Sequence, residues 1–323
     1  MKNPRSVIVI ILIGAISLLV AGGVLAAEAT PTPDDIIRGA QLYDKWYAVL
    51  GVDSPTVNMP IWSRQSTNTL SGADTWRCSE CHGWDYRGSQ GEYRAGSHYT
   101  GFPDLWTLVQ GLTGDDIVSH LKGSLDPAHN FSTYLDDASL TQLASFLKFG
   151  IIDDATYIDS ISLRVIDPNY THGQSLYQST CLACHGEDGK KIVFRIEGID
   201  EYLGSVANRD PWRFLHRTRF GVAGTDMPIG MTLGWQPSDG RDILVYAQSL
   251  PTGGEIISEP TRNPQLTPAP LLGGPATNLW TGILTILGTM VGGVVVAVAF
   301  IGGFVLLALI VVIILRKRSK RNS

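Results

Sequence analysis

The sequence predicts a mainly α protein made of two tandem units and one C-terminal transmembrane helix. Three observations point to this. Gly39-Ala40-Gln41-Leu42-Tyr43 returns as Gly173-Gln174-Ser175-Leu176-Tyr177, so the body is duplicated. Each copy closes with apolar residues at helical spacing behind a helix-start residue, Ser139 to Leu147 before Gly150 and Ser238 to Leu250 before Pro251. Leu279 to Leu315 is uncharged and mostly apolar, longer than the about 20 residues needed to cross a bilayer.

The two ends fix the expected compartment. Lys2 and Arg5 precede an uncharged run from Ser6 to Ala27 that closes on small residues. Residues 1–29 therefore read as a secretory signal peptide or, since the run is long enough to span, as an uncleaved N-terminal anchor. After Arg262 no charge appears until Arg316, Lys317, Arg318, Lys320 and Arg321. The positive-inside rule puts this tail, residues 316–323, in the cytoplasm. Residues 279–315 then form an apolar lead-in, with Trp280 at the outer interface, and a single span best placed at Val291–Leu315. Gly288 and Gly292 have the spacing of a helix-packing pair, which suits contact with other membrane subunits. Both ends place residues 30–278 on the periplasmic or extracellular side of the cytoplasmic membrane.

The net charge of −5 conceals an uneven distribution. Without the seven terminal cations, 18 Lys and Arg face all 30 Asp and Glu, about −12 for the remainder. Phosphate recognition needs positive charge, so a nucleic-acid binder is excluded. A redox partner with a basic docking face would be steered toward such a head.

Within the exported part, the first unit takes residues 30–150, a connection 151–168, and the second unit 169–250. The first is larger because about 30 residues, Trp46 to Trp76, separate its Tyr43 from its cysteines, against four positions in the second. This insertion, with Trp46, Trp62 and Trp76, is suited to covering a cofactor. Between cysteines and closing helix, both units read as loops with short helices. Residues 251–278 hold six prolines (251, 260, 264, 268, 270 and 275) and read as an extended stalk.

All four cysteines fall in two motifs, Cys78-Ser79-Glu80-Cys81-His82 and Cys181-Leu182-Ala183-Cys184-His185. Cys-x-x-Cys-His is the attachment signature of c-type haem. Two thiols on one helical turn add to the porphyrin vinyl groups, and the adjacent imidazole faces the iron. A four-cysteine zinc site usually has its pairs 15–20 residues apart, whereas about 100 separate these, and each carries a His such a site does not need. A disulfide or thioredoxin-type reading leaves the duplicated His unexplained.

Two such motifs in similar halves, with Met227-Pro228 downstream in the second, resemble a membrane-anchored dihaem cytochrome c built from two class I cytochrome c-like domains. The resemblance covers about residues 34–250. It implies two covalently bound haem c groups, with His82 and His185 as proximal ligands and Met227 as distal ligand in the second half. Met231, four residues on, is the substitute, and is read as a core methionine. The first half has no methionine between motif and closing helix, a departure from the family pattern. Laying Leu215-His216-Arg217 over Ser119-His120-Leu121 brings His129 within two positions of Met227. His129 is therefore assigned as the distal ligand, with His120, then His98, then Met59 as alternatives. His216 is read as a packed or propionate-contacting residue, Arg217 and Arg219 as propionate partners or solvated cations, and His172 as a surface or core residue.

Two six-coordinate haems leave no open iron position, so electron transfer on the outer membrane face, as part of a respiratory chain, is expected rather than catalysis. The alternatives are a haem subunit of a quinol-oxidising complex and a dihaem oxidoreductase, such as a peroxidase or sulfur-compound oxidase, in which one iron lacks its sixth ligand.

Overall fold

Helix α1 runs Pro33–Leu50 in the computed structural model, which describes residues 30–196 and 199–253. Thr32 caps it: its hydroxyl accepts the Asp35 N–H at 3.2 Å, and the Asp35 carboxylate accepts the Thr32 N–H at 3.2 Å. Pro33 takes a position where no N–H is required, and Gly51 ends the helix in the left-handed conformation at φ +64°. Ile36, Ile37, Ala40 and Tyr43, spaced for one helical face, are buried.

The rest of the first half is short helices: α2 (Cys78–His82), α3 (Leu105–Leu108), α4 (Gly114–Leu121) and α5 (Asp137–Ser145), the last continuing as a wider turn over Phe146–Gly150. The second half repeats the plan with α6 (Tyr170–Leu176), α7 (Leu182–His185), α8 (Leu203–Arg209), α9 (Pro211–Phe220) and α10 (Pro237–Gln248). The closing helices lie where the apolar spacing expects them. A feature outside that expectation is an antiparallel hairpin, β1 (Phe194–Ile196) with β2 (Ile199–Glu201), pairing Phe194 with Glu201.

In each half the opening helix crosses the closing one at a glycine. A Cβ on Gly39 would stand 2.0 Å from the Gln142 carbonyl oxygen of α5, and one on Gly173 1.8 Å from the Asp242 carbonyl oxygen of α10. Backbone meets backbone at both crossings, which explains the glycine that opens each copy of the repeat.

Two hydrophobic cores form, and they interlock. The first gathers α1, Met59, Trp76, Phe131 and α5, and also takes Phe220 from α9, with Ile229 and Met231 packed on it. The second gathers α8, α9 and α10 around Tyr177, and takes Trp84 and Tyr93 from the first half. Met231 is thus a packing residue, as expected. The connection 151–168 is part of this packing, with a turn at Asp154–Thr156, an isolated bridge between Ile158 and Val165, and buried Asp154 and Ile158. No helix among the described residues is long and apolar enough to cross a membrane. The expected signal or anchor, the span at 279–315, the basic tail and all but the first three stalk residues lie outside the described residues.

Gly173→Ala should destabilise the protein by about 1–3 kcal/mol, because the new methyl meets main chain that cannot swing aside. Denaturant unfolding checks this; an unchanged midpoint would contradict the crossing.

Candidate functional site

The first motif occupies the single turn α2 and is enclosed. Cys78 and Cys81 are buried free thiols. Burial pushes the Cys78 thiol up to about 12 and raises that of Cys81 well above its ordinary value, so both are neutral. His82 is 8% exposed. Its Nδ1 lies 3.0 Å from the Pro103 carbonyl, which can only accept, so Nδ1 carries the proton and Nε2 keeps its lone pair. Burial lowers the His82 pKa to about 4 against that hydrogen bond, so the imidazole is neutral at ordinary pH.

Opposite stands His129, on the turn Pro127–His129 that follows α4. The two imidazole centres are 6.3 Å apart with planes at 85°. A metal–imidazole bond is about 2 Å and the ring centre lies about 1 Å behind the nitrogen, so two imidazoles flanking one ion stand about 6 Å apart. Burial also lowers the His129 pKa, opposed by a hydrogen bond to the His120 main chain. Each ring therefore rests one nitrogen on main chain, as ligating histidines commonly do. Two thiols on the same turn as His82, and a second neutral imidazole at this spacing, fit a covalently held haem. Of the other distal candidates, His98 stacks on Tyr93 with centres 5.1 Å apart, Met59 is buried in the first core, and His120 contributes main chain to His129.

The second motif is more open. Cys181 is half-buried, with its thiol pushed up to about 11 by burial; Cys184 is exposed. His185 is half-buried, its ring 6.1 Å from that of Phe194, and burial lowers its pKa. Its Nδ1 has no hydrogen-bond partner among the described residues. Met227 lies half-buried on the loop after α9, where its N–H donates to the Thr225 hydroxyl at 3.3 Å. His172 pairs with Asp242 at 3.0 Å.

Both motifs are held by the same latch. The Tyr43 hydroxyl donates to the Gly83 carbonyl at 2.6 Å, and Tyr177 to the Gly186 carbonyl at 2.7 Å. Those glycines directly follow the ligating-type histidines and sit at φ +74° and +80°, where a side chain would be strained. The repeat's Gly and Tyr thus have linked jobs: one lets the helices close, the other pins the end of the motif.

Between the halves lies a polar joint in which Arg217 and His216 meet residues the sequence did not flag. Asp44 is buried; its carboxylate accepts from Arg77 at 2.9 Å and from Arg217 at 3.0 and 3.2 Å. Burial alone would raise its pKa, but the Arg217 and Arg77 guanidiniums overcome this and hold it well below the usual carboxylate range. Arg217 also lies 5.3 Å from the Trp84 ring centre, a cation–π contact. Arg217 is therefore a cross-joint partner of Asp44, not a solvated cation. His216, 2% exposed, bridges the same boundary: Nε2 donates to the Ala40 carbonyl at 3.1 Å and Nδ1 accepts the Tyr86 hydroxyl at 2.8 Å. With both nitrogens engaged it is a packed histidine. Nothing local marks Asp44 or Trp84, since the partner they share across the joint, Arg217, is over a hundred residues away from both; the one sequence signal was the repeated tyrosine.

Residues 168–243 match a family described as cytochrome C oxidase, cbb3-type, subunit III. The second half carries a cytochrome c-type domain. Such a domain implies covalently bound haem c and electron transfer, and the whole described region is mainly helical around it. The chain is also 26% identical over 170 residues to the gluconate 2-dehydrogenase cytochrome c subunit of Pantoea cypripedii. That match covers 49% of this chain and only 38% of the relative's own length.

Two outcomes follow from the joint. Asp44→Ala should cost about 3–5 kcal/mol by taking from the half-buried Arg217 the carboxylate it pairs with and leaving Arg77 to Glu80 and Asp74 alone, measured by denaturant unfolding. Asp154, in the connection, is buried, and desolvation raises its pKa to about 8 despite Arg219, with Asp85 and Asp153 adding to the rise and Arg87 opposing it. An unfolded aspartate titrates near ~4. Its contribution is thus fully present below about pH 4 and is lost as pH rises to about 8, because only the unfolded chain gives up the proton there. Urea midpoints across that range should fall with pH, and Asp154→Asn should flatten the slope.

Proposed function

We propose that this chain is a membrane-anchored dihaem cytochrome c that passes electrons between redox partners on the outer face of the cytoplasmic membrane. The observation that supports this best is the twin latch. The first half, which the family match does not cover, holds its Cys-x-x-Cys-His turn by the same Tyr-to-Gly bond and the same glycine crossing as the half that it does. On this reading Cys78 and Cys81 hold one haem, and Cys181 and Cys184 the other. His82 and His129 ligate the first iron, and His185 and Met227 the second.

Haem c, when bound, supplies reversible one-electron chemistry at its iron. The protein's own work is positional. The Pro103 carbonyl fixes the tautomer of His82, the His120 main chain orients His129, and the enclosed first site keeps water from the imidazoles. Held by those side chains, the two groups would leave no position for substrate. A group held by His82 and His129 and one held by His185 and Met227 would differ in potential, the thioether-held one higher. Both comparisons name subunits of larger assemblies, which favours a fixed subunit over a free carrier. By its likeness to the dehydrogenase subunit, the chain takes electrons from a separate catalytic subunit, and its acidic head suits a basic face on a partner.

Haem quantitation with optical and EPR spectra of the purified full chain tests this. Two haems per chain and wholly low-spin iron are expected. His129→Ala should turn one haem high-spin, and Met227→Ala should abolish the methionine-to-iron band while sparing the other haem. One haem per chain would remove the dihaem reading. High-spin iron with immediate cyanide binding in the untreated protein would favour the catalytic alternative.

A further inference from the structure

The first half carries an insertion that the second lacks, and the structure shows where its polar tip goes. Residues 52–76 fold on themselves: the Met59 N–H donates to the Thr75 hydroxyl at 2.8 Å, the Gly72 N–H to Asn58 at 2.6 Å, and the Trp76 indole to the Val57 carbonyl at 2.8 Å. The turn Pro60–Arg64 is rooted in the protein by buried Ile61 and Trp62. From its end, Arg64 reaches Asp126 with both guanidinium nitrogens, Nη2 at 2.9 Å from Oδ1 and Nη1 on Oδ2.

Asp126 is the residue on which the His129 turn is built. Its Oδ1 accepts the Ala128 N–H at 3.0 Å and its carbonyl accepts the His129 N–H at 2.8 Å. The insertion meets the same loop a second time, with Trp76 against Phe131 at 5.9 Å and Tyr134 at 4.8 Å between ring centres, and Phe131 lies 5.2 Å from the His129 ring. The corresponding loop of the second half, at Thr225–Met227, bonds to itself through the Thr225 hydroxyl.

We infer that the insertion is a clamp on the distal-ligand loop of the first half, with Arg64 as the positioning residue that acts on His129 through Asp126. The inference rests on the reading of His129 as an iron ligand. Held at both ends of its loop, His129 stays opposite His82, and the first centre is shut to exogenous ligands. Releasing Arg64 frees one end of the loop, so the imidazole leaves more often and a small ligand enters in its place. A bidentate pair that is 54% exposed on its arginine side and 27% on its aspartate side contributes modestly, so a shift of about fivefold in the opening equilibrium is expected, not closure against opening outright.

Cyanide uptake by the oxidised, full-length holoprotein tests this, followed as loss of the His/His EPR signal. Arg64→Ala and Asp126→Asn should each speed uptake at the first centre about fivefold, and Arg64→Lys less. Added salt should speed the wild type but not Arg64→Ala. A wild-type rate in Arg64→Ala, or an Asp126→Asn rate unchanged while Arg64→Ala is faster, overturns the clamp. His129→Ala separates the two ideas: if it leaves the first centre low-spin, the ligand reading fails whatever Arg64 does.

Discussion

The close helix crossing in each half is the constraint on which the rest depends. Gly39 and Gly173 allow the opening helix of each half to lie backbone to backbone on the closing helix, at distances that admit no Cβ. One helical turn further along, Tyr43 and Tyr177 are then carried to the glycines that follow His82 and His185. Each tyrosine spends its hydroxyl on the carbonyl at the motif's end. The Cys-x-x-Cys-His turn of each half is thus fixed from outside itself. Because crossing and latch are four residues apart on one helix, they cannot vary independently.

The two halves do not meet as independent domains meet. Trp84 and Tyr93 cross into the second core, and Phe220 crosses into the first. Helix α9 supplies most of this joint, with His216 and Phe220 on one side and Trp212 and Leu215 on the other. The charged part is closed: Asp44 has a guanidinium from each half, and His216 is neutral because burial lowers its pKa to about 4. Interlocked cores of this kind hold the two Cys-x-x-Cys-His turns at a constant separation, which a flexible linker between 151 and 168 would not. The buried turn at Asp154 within that connection agrees with such rigidity.

The sites themselves differ in enclosure, and the cause is local. The first is walled by an insertion whose tryptophans pack on the loop carrying His129. The second has no such wall, leaves Cys184 exposed, and presents Met227 on a loop that bonds mainly to itself. An imidazole presented by a clamped loop and a thioether presented by a free one would give two centres of different chemistry on one duplicated scaffold.

Much of this was legible before any coordinates. The spacing of Cys-x-x-Cys-His is dictated by covalent chemistry on one helical turn, so it can be read from the chain directly, as can the capped, periodic helices and the apolar termini. His129 was legible only by laying one half over the other, and two residues out of register, because that placement uses the duplication and not any local signal. The sequence by itself determined which atoms can bond a haem and which segments can be helices, since both are short-range properties. The tertiary structure alone decided that His129 faces His82, that Arg217 answers Asp44 instead of solvent, and that the insertion reaches the His129 loop. Those contacts join residues tens to nearly two hundred positions apart, and only the packing of the helices brings such residues within hydrogen-bonding distance.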